Sequence, residues 1–425
     1  LRIEDTDLER SQQELIDVIF EALEWMGLDW DESPVLQSTR FDVHQEAVDR
    51  LLESGGAYWS DPVPEADRAR TGGRPYDPAD RDRDLGPGDG RAVRFRTPDD
   101  GTTSWVDLIR GEISFDNANI EDFVIRRADG SPTFFVANAV DDQDMAVTHV
   151  IRGEDLINVT PKQLLLRQAL GYGEPLQLAH MPLIVNESRK KLSKRRDDVS
   201  LLDYRDRGFL PEAMVNYLAL LGWGLPDGSE IRLDPLNELP PLFDISDVND
   251  SSAFFDTKKL RFVNAEHLRA LPVTAFAERS QPYFDVQPWS DRFHAGTFGR
   301  MAAEVQTRVE TLSEVPGYVD FLFLADPEID EASWSKAMAG DAPVWLDAVI
   351  AAASEWPWEA SVLHERTFAL CEELGANRKK FQAPIRVAVT GRTVGPPLFE
   401  SMEILGQDEV LRRLRSARER AGAAG

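Results

Sequence analysis

The most informative stretch of this chain is Lys191-Leu192-Ser193-Lys194-Arg195. It carries two lysines separated by a Leu-Ser pair, and positioned ammonium groups suit the negative charge that builds up on a departing pyrophosphate. The stretch lies in a run, Arg189 to Arg196, in which six of eight residues are basic. Such a run is also typical of a solvated face or a non-specific anion patch. Together with the two segments described next, the stretch predicts a loop that binds a polyphosphate, with ATP as the ligand.

Two further segments accompany the lysine stretch. The chain opens with Leu1-Arg2-Ile3-Glu4-Asp5-Thr6-Asp7, in which apolar and polar residues alternate and then run into a cluster of carboxylates. That pattern predicts a strand whose carboxyl end carries polar site residues. The second segment, His180-Met181-Pro182-Leu183-Ile184-Val185, leads directly into the lysine stretch.

Together these segments resemble the catalytic domain of the class I aminoacyl-tRNA synthetases, specifically the bacterial glutamyl-tRNA synthetases. In that family an RIEDTD segment and a KMSKS-type loop occur in this order. The resemblance is strong from residue 1 to about residue 265 and less specific in the last part of the chain. It also includes Val136-Ala137-Asn138 with Asp141-Asp142, Val150 to Asp155, Gly208 to Ala213, and Asn216-Tyr217-Leu218.

The family's other signature is a HIGH-like motif at the start of a helix that follows the first strand. The resemblance implies that this motif lies shortly before Leu1, and the 425 residues contain none. We therefore expect the natural protein to carry an additional strand and helix upstream of Leu1.

The resemblance implies an α/β fold, with a Rossmann-like class I synthetase catalytic domain, an inserted α+β acceptor-binding domain, and all-α anticodon-binding domains after it. The amino-acid composition changes at Tyr58, where Pro, Asp, Arg and Gly become frequent, and this change marks the start of the predicted insertion. The predicted domains are the first catalytic half (1–57), the inserted domain (58–137), the second catalytic half with the lysine loop (138–200), a helical stem-contact domain (201–269) and the anticodon-binding region (270–425).

Local signals predict several elements of this fold. Ser11 and Glu14 form a capping box for a first helix that ends at Gly27, and a second helix is predicted from about Phe41 to Leu52. After about Ala270 the pattern is helical, with Pro and Gly breaks and little strand alternation. Further predicted elements are strands at Val93 to Arg96, Phe123 to Arg126 and Val147 to Ile151, a helix with Thr160 as its cap and Pro161 in its first turn, and a helix from Pro211 to Leu221.

Composition narrows the class of protein. A chain of 425 residues, 42% of them hydrophobic, is too long for one core and can supply several. No apolar run approaches the ~20 residues needed to cross a bilayer, and the opening has no signal-peptide pattern, which predicts a cytoplasmic protein. Cys371 is the only cysteine, so an intramolecular disulfide is excluded. The six histidines lack ligand spacing, so no structural zinc of the Cys/His kind is expected.

The net charge of -28 is unusual for a chain expected to hold tRNA. Affinity for phosphates depends on local basic surfaces, so a protein that is acidic overall can still carry a basic surface that binds tRNA. The lysine stretch is one candidate, and a carboxyl-terminal basic set, of which Arg378, Lys379 and Lys380 are the predicted tRNA-binding residues, is the other. The same set also fits the polar face of two helices. Its other members are Arg386, Arg392, Arg412, Arg413, Arg415 and Arg418.

The resemblance also assigns residues to an amino-acid pocket. Glu4 would receive the α-ammonium group of glutamate, and Arg152 would hold a substrate carboxylate through a bidentate fork that lysine cannot reproduce. Asn138 and the backbone from Phe134 would line the same pocket. Many relatives carry Tyr at the position of Phe134, so the chain lacks one possible hydrogen bond to the substrate.

For ATP, the resemblance implies that Asp155 faces the ribose and that the backbone near Ile184 faces the adenine ring, although Ile184 as an ordinary core residue is the simpler interpretation of its side chain. Lys194 would contact the phosphates and Lys191 would share their charge, with Ser193 and Arg195 completing the catalytic loop. Mg²⁺ is expected with ATP, carried by phosphate oxygens and water rather than by dedicated protein ligands.

The function implied is ATP-dependent attachment of L-glutamate to tRNA(Glu) through a glutamyl-adenylate, by a monomer. Three alternatives are weighed. A glutaminyl-tRNA synthetase has β-barrel anticodon domains, which the helical last third disfavours. A glutamyl-queuosine-type enzyme has no anticodon-binding region, whereas this chain continues for more than 150 residues after Ala270. A non-catalytic tRNA-binding relative is supported only by the absent HIGH-like motif.

Overall fold

A computed structural model describes residues 1–7, 13–71, 74–173, 176–192 and 200–423. The chain divides into two compact units. Unit 1 comprises Leu1–Val199 and Val215–Asp256, and unit 2 comprises Ser200–Met214 and Thr257–Gly425. The domain boundaries predicted above are finer than this division and stay predictions.

All eleven strands of the described residues belong to unit 1. They are β1 (Arg2–Ile3), β2 (Val35–Leu36), β3 (Ala57–Ser60), β4 (Ala92–Phe95), β5 (Thr102–Asp107), β6 (Gly111–Asp116), β7 (Val124–Arg126), β8 (His149–Gly153), β9 (Gln177–Met181), β10 (Ile184–Val185) and β11 (Ala253–Phe254). The main sheet is mixed, in the order β6-β5-β9-β8, with β9 parallel to both β5 and β8 and with β6 antiparallel to β5. A second sheet, β3-β4-β7, is antiparallel, and β1-β2 and β10-β11 are parallel pairs.

The α-helices of the described residues connect these strands and build unit 2; short 3₁₀ turns are omitted from the list. They are α1 (Gln13–Trp25), α2 (Phe41–Glu53), α3 (Phe134–Asp144), α4 (Thr160–Ala169), α5 (Leu201–Asp206), α6 (Pro211–Ala219), α7 (Pro235–Glu238), α8 (Thr257–Ala270), α9 (Val273–Asp285), α10 (Ala295–Gly299), α11 (Ala302–Gln306), α12 (Val315–Val319), α13 (Glu331–Ala337), α14 (Ala342–Ala353), α15 (Ala360–Glu373), α16 (Arg378–Thr390), α17 (Leu398–Leu405) and α18 (Gln407–Ala423).

The helices predicted near the start of the chain are confirmed. Helix α1 is followed by Gly27, whose φ of 71° is the left-handed conformation that ends a helix at low cost. The predicted cap Ser11 lies outside the described residues. Only Ile16 of α1 is buried, and Ile19, a member of the predicted apolar stripe, is 43% exposed.

Two predictions about the second half of the catalytic fold need correction. The strand expected at Val147 to Ile151 is β8, which begins two residues later, at His149. Thr160 was predicted as a helix cap, but it is the first residue of α4, and its hydroxyl contacts the side chains of Arg152 and His180 and the carbonyl oxygen of Leu156 instead. The β5-β6 hairpin, which pairs Trp105 with Ile113 and extends the main sheet, was not predicted from the sequence.

One hydrophobic core of unit 1 lies between α2, α3 and α4 and the β3-β4-β7 sheet. Its fully buried side chains include Val48 and Leu51 from α2, Ile125 from β7, Val136 from α3 and Leu166 from α4. Full burial of such side chains stabilises each by about 1.5–3 kcal/mol, so this cluster fixes α3 and α4 against the strands. Both helices carry residues of the site described below.

Unit 2 contains helices and no strand among its described residues, which confirms the predicted helical character of the last third. Its carboxyl-terminal core is built around Leu346, Leu363, Phe381, Ile385 and Leu414, each fully buried. The loop that carries Glu328 passes too close to the end of α16 for a side chain there: a Cβ on Gly391 would meet the carbonyl oxygen of Glu328 at 1.9 Å.

None of the described helices is both long enough and apolar enough to span a lipid bilayer.

Candidate functional site

The site lies where three neighbouring parallel strands of the main sheet end. Asp107 is the last residue of β5, His180 is next to last in β9, and Arg152 is next to last in β8. The register pairs Arg152 directly with His180, so the two side chains leave the same face of the sheet. Ligand sites of open parallel sheets form outside the carboxyl ends of the strands, and polar residues gather at that edge here.

Beside this edge a cavity of about 650 Å³ opens within unit 1. Its lining includes all four residues predicted for the amino-acid pocket, Glu4, Phe134, Asn138 and Arg152, which come from three segments of the chain, because Phe134 and Asn138 both lie on α3. The cavity therefore offers a carboxylate, a guanidinium group, an amide and an aromatic ring to one small ligand.

The Arg152 guanidinium is held by three partners. Its Nη1 donates to Oε1 of Gln163 at 2.7 Å, its Nη2 donates to Oγ1 of Thr160 at 2.8 Å, and its Nε lies 3.4 Å from Nε2 of His180. Burial lowers the pKa of Arg152, against the opposing charges of Asp142 and Glu4. An arginine has five N–H donors, so one N–H on each terminal nitrogen has no partner among the described residues. A bidentate carboxylate needs that number of donors.

His180 and Asp107 form a buried pair behind Arg152, and the sequence predicted no role for either residue. The Nδ1 atom of His180 lies 2.5 Å from Oδ2 of Asp107, and both side chains are inaccessible to solvent. Burial lowers the pKa of His180 despite the nearby carboxylate. Burial on its own raises the pKa of Asp107, but hydrogen bonds from the His180 ring and backbone outweigh it and hold that pKa below its usual range. His180 belongs to a segment singled out above, whereas no local signal marks Asp107.

A second buried network fixes Asn138. Gln37 donates through Nε2 to Oδ1 of Asn138 at 2.8 Å and to Oδ2 of Asp141 at 3.0 Å. Asp141, with no exposed surface, also accepts from Nε of Arg40 and contacts Nε2 of His44, each at 2.8 Å. Burial alone raises the pKa of Asp141, but these contacts, led by His44, lower it overall.

Glu4 lies at the mouth of the cavity, and its side chain is 51% exposed. Its Oε1 is 3.7 Å from Nη2 of Arg2, while Nη1 of Arg2 binds Oδ1 of Asp142 at 2.7 Å. Arg2 is thus held mainly by Asp142, and most of the Glu4 carboxylate faces solvent and the cavity. That position suits a receptor for a ligand ammonium group.

The lysine stretch follows β10. Val185 forms an isolated antiparallel bridge with Lys191, and the amide of Leu192 donates to the carbonyl of Ile184 at 3.1 Å. The Nζ atom of Lys191 lies 2.6 Å from Oδ2 of Asp155, and this contact holds the pKa of Asp155 below its usual range. The predicted residues Ser193, Lys194 and Arg195 lie outside the described residues.

The predicted tRNA-binding residues are exposed at the start of α16 in unit 2. Asn377 caps this helix by accepting from the amides of Lys379 and Lys380, and the Arg378 guanidinium lies 5.1 Å from the ring centre of Phe368. Arg413 was named with the same basic set, but it is only 3% exposed and donates to two backbone carbonyl oxygens. Arg413 therefore cannot belong to a basic surface.

Within the described ranges, no group of three or more His, Cys, Asp or Glu side chains is arranged to hold a metal ion. The carboxylates nearest the lysine stretch have partners: Asp155 binds Lys191, and Glu154 lies 2.6 Å from Nη2 of Arg110. These residues fit a metal carried by ligand phosphates better than one held by a protein cage.

Comparison with known proteins places this arrangement in a family. Residues 1–262 match the catalytic domain of the class I tRNA synthetases of the E and Q type, and residues 275–418 match an anticodon-binding domain. A glutamate–tRNA ligase of Frankia alni is 51% identical over the whole chain, covering 91% of that protein, and one of Salinispora arenicola is 51% identical over 99% of the chain, covering 92% of that protein.

Comparison with solved structures leads to the same family. A glutamate tRNA ligase of Elizabethkingia meningosepticum, crystallised in complex with its amino acid, superposes with a TM-score of 0.82 at 26% identity, covering 99% of this chain and 92% of that one. The mixed sheet, the helical last third and the cavity at the strand ends occur here in a chain that matches such ligases along its length. The chain belongs to the glutamate–tRNA ligase family of the class I aminoacyl-tRNA synthetases.

Proposed function

We propose that this protein attaches L-glutamate to tRNA(Glu) at the expense of ATP. The observation that carries the proposal is the cavity at the strand ends, in which Arg152 has one unpartnered N–H on each terminal nitrogen and Glu4 presents a carboxylate across the same space. Glutamate has one ammonium group and two carboxylates, so its charges complement this lining.

In the proposed binding mode, Arg152 holds the side-chain carboxylate of glutamate and Glu4 receives its ammonium group. Asn138, fixed by Gln37, and the backbone from Phe134 complete the pocket. The α-carboxylate remains free to attack. It forms a bond to the α-phosphorus of ATP, the bond to the bridging oxygen breaks, and pyrophosphate leaves with the electron pair.

ATP would lie next to the amino-acid pocket, with its ribose against Asp155, its adenine ring against the backbone near Ile184, and its phosphates against the lysine stretch. Lys191 and Lys194, with Ser193 and Arg195, would stabilise the charge on the departing pyrophosphate. Mg²⁺ would arrive on phosphate oxygens and supply further charge neutralisation. The terminal hydroxyl of the tRNA then takes the glutamyl group and releases AMP.

Three further expectations belong to this proposal. The exposed residues Arg378, Lys379 and Lys380 contact the tRNA in the anticodon-binding region, because they are positive and unburied on an acidic protein. The protein acts as a monomer in the cytoplasm. The catalytic, inserted, stem-contact and anticodon-binding domains follow the boundaries predicted from the sequence.

The test is charging of purified tRNA(Glu) with labelled glutamate by the protein expressed from its complete gene. We expect ATP-dependent charging with glutamate, little with glutamine, and a sharp loss in Lys194→Ala. Parallel reactions with tRNA(Gln) separate an enzyme that charges one tRNA from one that charges both. A protein that binds tRNA(Glu) but never charges it would refute the proposal and favour a non-catalytic tRNA-binding relative.

A further inference from the structure

We propose that Asp107 and His180 are positioning residues for Arg152: Asp107 fixes the His180 ring so that its Nε2 accepts from Arg152 and holds the guanidinium in the orientation that grips a carboxylate. The identity of the ligand rests on the proposed function. The arrangement of the three side chains rests on the structure alone.

The hydrogen bonds of Asp107 determine which ring nitrogen of His180 carries the proton. Oδ1 of Asp107 accepts from the backbone amides of Ile109, Arg110 and His180, each at 3.1 Å, and Oδ2 faces Nδ1 of His180 at 2.5 Å. A carboxylate surrounded by donors in this way is an acceptor only. Nδ1 of His180 therefore carries the proton and donates it to Asp107.

The other ring nitrogen of His180 is an acceptor. Nε2 of His180 faces Nε of Arg152 at 3.4 Å and Oγ1 of Thr160 at 3.0 Å. Because an arginine Nε–H can only donate, Nε2 must be unprotonated to accept from it. The ring has no exposed surface, and both neighbouring guanidinium groups, those of Arg152 and Arg110, disfavour a charged imidazole. His180 is therefore neutral, with a donor on one side and an acceptor on the other.

The acceptor on His180 helps to fix the orientation of the Arg152 guanidinium. Contacts from Nε, Nη1 and Nη2 to three separate partners fix the rotation of the guanidinium plane. The N–H groups left over are one on each terminal nitrogen, and because Arg152 lines the cavity they are the donors that it offers to a ligand there. A guanidinium that is held before the ligand arrives loses less side-chain freedom on binding, which strengthens the bidentate contact.

Asp107 and His180 do not line the cavity, so neither touches the ligand. Their role is indirect, and it differs from general structural support in one respect. It requires an acceptor at the position of Nε2, whereas support of the fold requires only a side chain that fills the space and pairs with Asp107.

Two substitutions separate these requirements. In His180→Asn the side-chain amide reaches the position of Nδ1 and can still donate to Asp107, but nothing reaches Arg152. In His180→Gln the amide oxygen reaches the position of Nε2 and can accept from Arg152. We expect the Asn variant to raise the KM for glutamate about tenfold with the KM for ATP unchanged, and the Gln variant to stay within about threefold of the wild type.

A second measurement does not depend on activity. Nitrogen-15 NMR of histidine-labelled protein, with the His180 signal identified by its absence from His180→Gln, should show the Nδ1–H tautomer, and Asp107→Asn should shift this signal. An Nε2–H tautomer, or a protonated ring, at neutral pH overturns the proposal whether or not the protein charges tRNA.

The kinetic outcomes are also distinct. If the wild type charges no glutamate while NMR shows the Nδ1–H tautomer, the proposed function fails but the positioning arrangement stands. If the wild type charges glutamate and the Asn and Gln variants raise the KM for glutamate and for ATP alike, His180 is structural and the inference fails. An unchanged KM for glutamate in His180→Asn overturns it as well.

Discussion

Lys191 and Asp155 bind each other in this structure, with 2.6 Å between Nζ and Oδ2. Under the proposed function, Lys191 contacts the ATP phosphates and Asp155 contacts the ribose. The two residues therefore form an ion pair at the place where ATP would bind. Both side chains are about half exposed, at 56% and 44%. Ion pairs of this kind contribute between about 0 and 1 kcal/mol, so ATP can separate them at little cost.

Replacing Lys191 with Ala tests this arrangement. We expect the kcat for charging to fall about tenfold or more, because one cation beside the departing pyrophosphate is lost, while the KM for glutamate stays near the wild-type value. Lys190→Ala is the matched control, since it removes the adjacent exposed lysine, and should change the kcat less than twofold. Equal effects of the two substitutions would indicate a general charge effect on the surface.

Restoring a hydroxyl group at position 134 tests the amino-acid pocket. Phe134 lines the cavity together with Arg152 and Asn138, and a Tyr there places a donor at the edge of the pocket. If the hydroxyl reaches the substrate, Phe134→Tyr should lower the KM for glutamate about fivefold, which corresponds to roughly 1 kcal/mol for one hydrogen bond. Phe135→Tyr adds the same atom one residue later and should give no such gain. An unchanged KM in Phe134→Tyr would place the ring away from the substrate.

Asp141 makes the stability of unit 1 depend on pH. Its contacts hold its pKa below the ordinary 3.8 in the folded protein, so it contributes stability above the unfolded pKa and loses that contribution as the pH falls through the folded value. We expect the urea midpoint of the wild type to drop below about pH 4. Asp141→Asn should be less stable at pH 7, by about 3 kcal/mol, and should show a flatter pH dependence.

The control for this series is Asp31→Asn, an exposed carboxylate of the same unit. It should follow the wild-type curve at every pH. If Asp141→Asn keeps the full acid sensitivity of the wild type, Asp141 is not the group responsible.

Gly391 should be intolerant of any side chain. It ends α16 with a φ of 81°, and an added Cβ would lie 1.9 Å from the Glu328 carbonyl oxygen. Gly375 follows α15 with a φ of 63° and has nothing within 4 Å of an added Cβ. We expect Gly391→Ala to lower the free energy of unfolding by more than about 3 kcal/mol and Gly375→Ala by about 1 kcal/mol, measured by urea denaturation. Equal losses would mean that the contact with Glu328 relaxes easily.

The local elements of the fold could be predicted from the sequence. The helices α1 and α2 have apolar positions at helical spacing, and Gly27 ends the first of them by the left-handed conformation that only glycine adopts easily. The helical character of the last third also followed from the pattern after Ala270. The signals for α1 and α2 lie within the residues of each helix and the turn that follows it.

The parts that escaped prediction depend on contacts across the sequence. Asp107 meets His180 because β5 pairs in parallel with β9, a strand more than 70 residues later, and no pattern near either residue reveals that pairing. The same holds for Gln37, which lies 101 residues from Asn138. The resemblance named the residues expected to touch the substrate, whereas the residues that hold them in place became visible only in the fold.

The most direct test of this account is the dependence of tRNA(Glu) charging on glutamate concentration in the wild type and in Arg152→Lys. Lysine keeps the positive charge but cannot form the bidentate contact. We predict a rise of between about ten- and a hundredfold in the KM for glutamate, with the KM for ATP unchanged. A KM for glutamate equal to that of the wild type would contradict the assignment of Arg152 and its cavity to the amino-acid substrate.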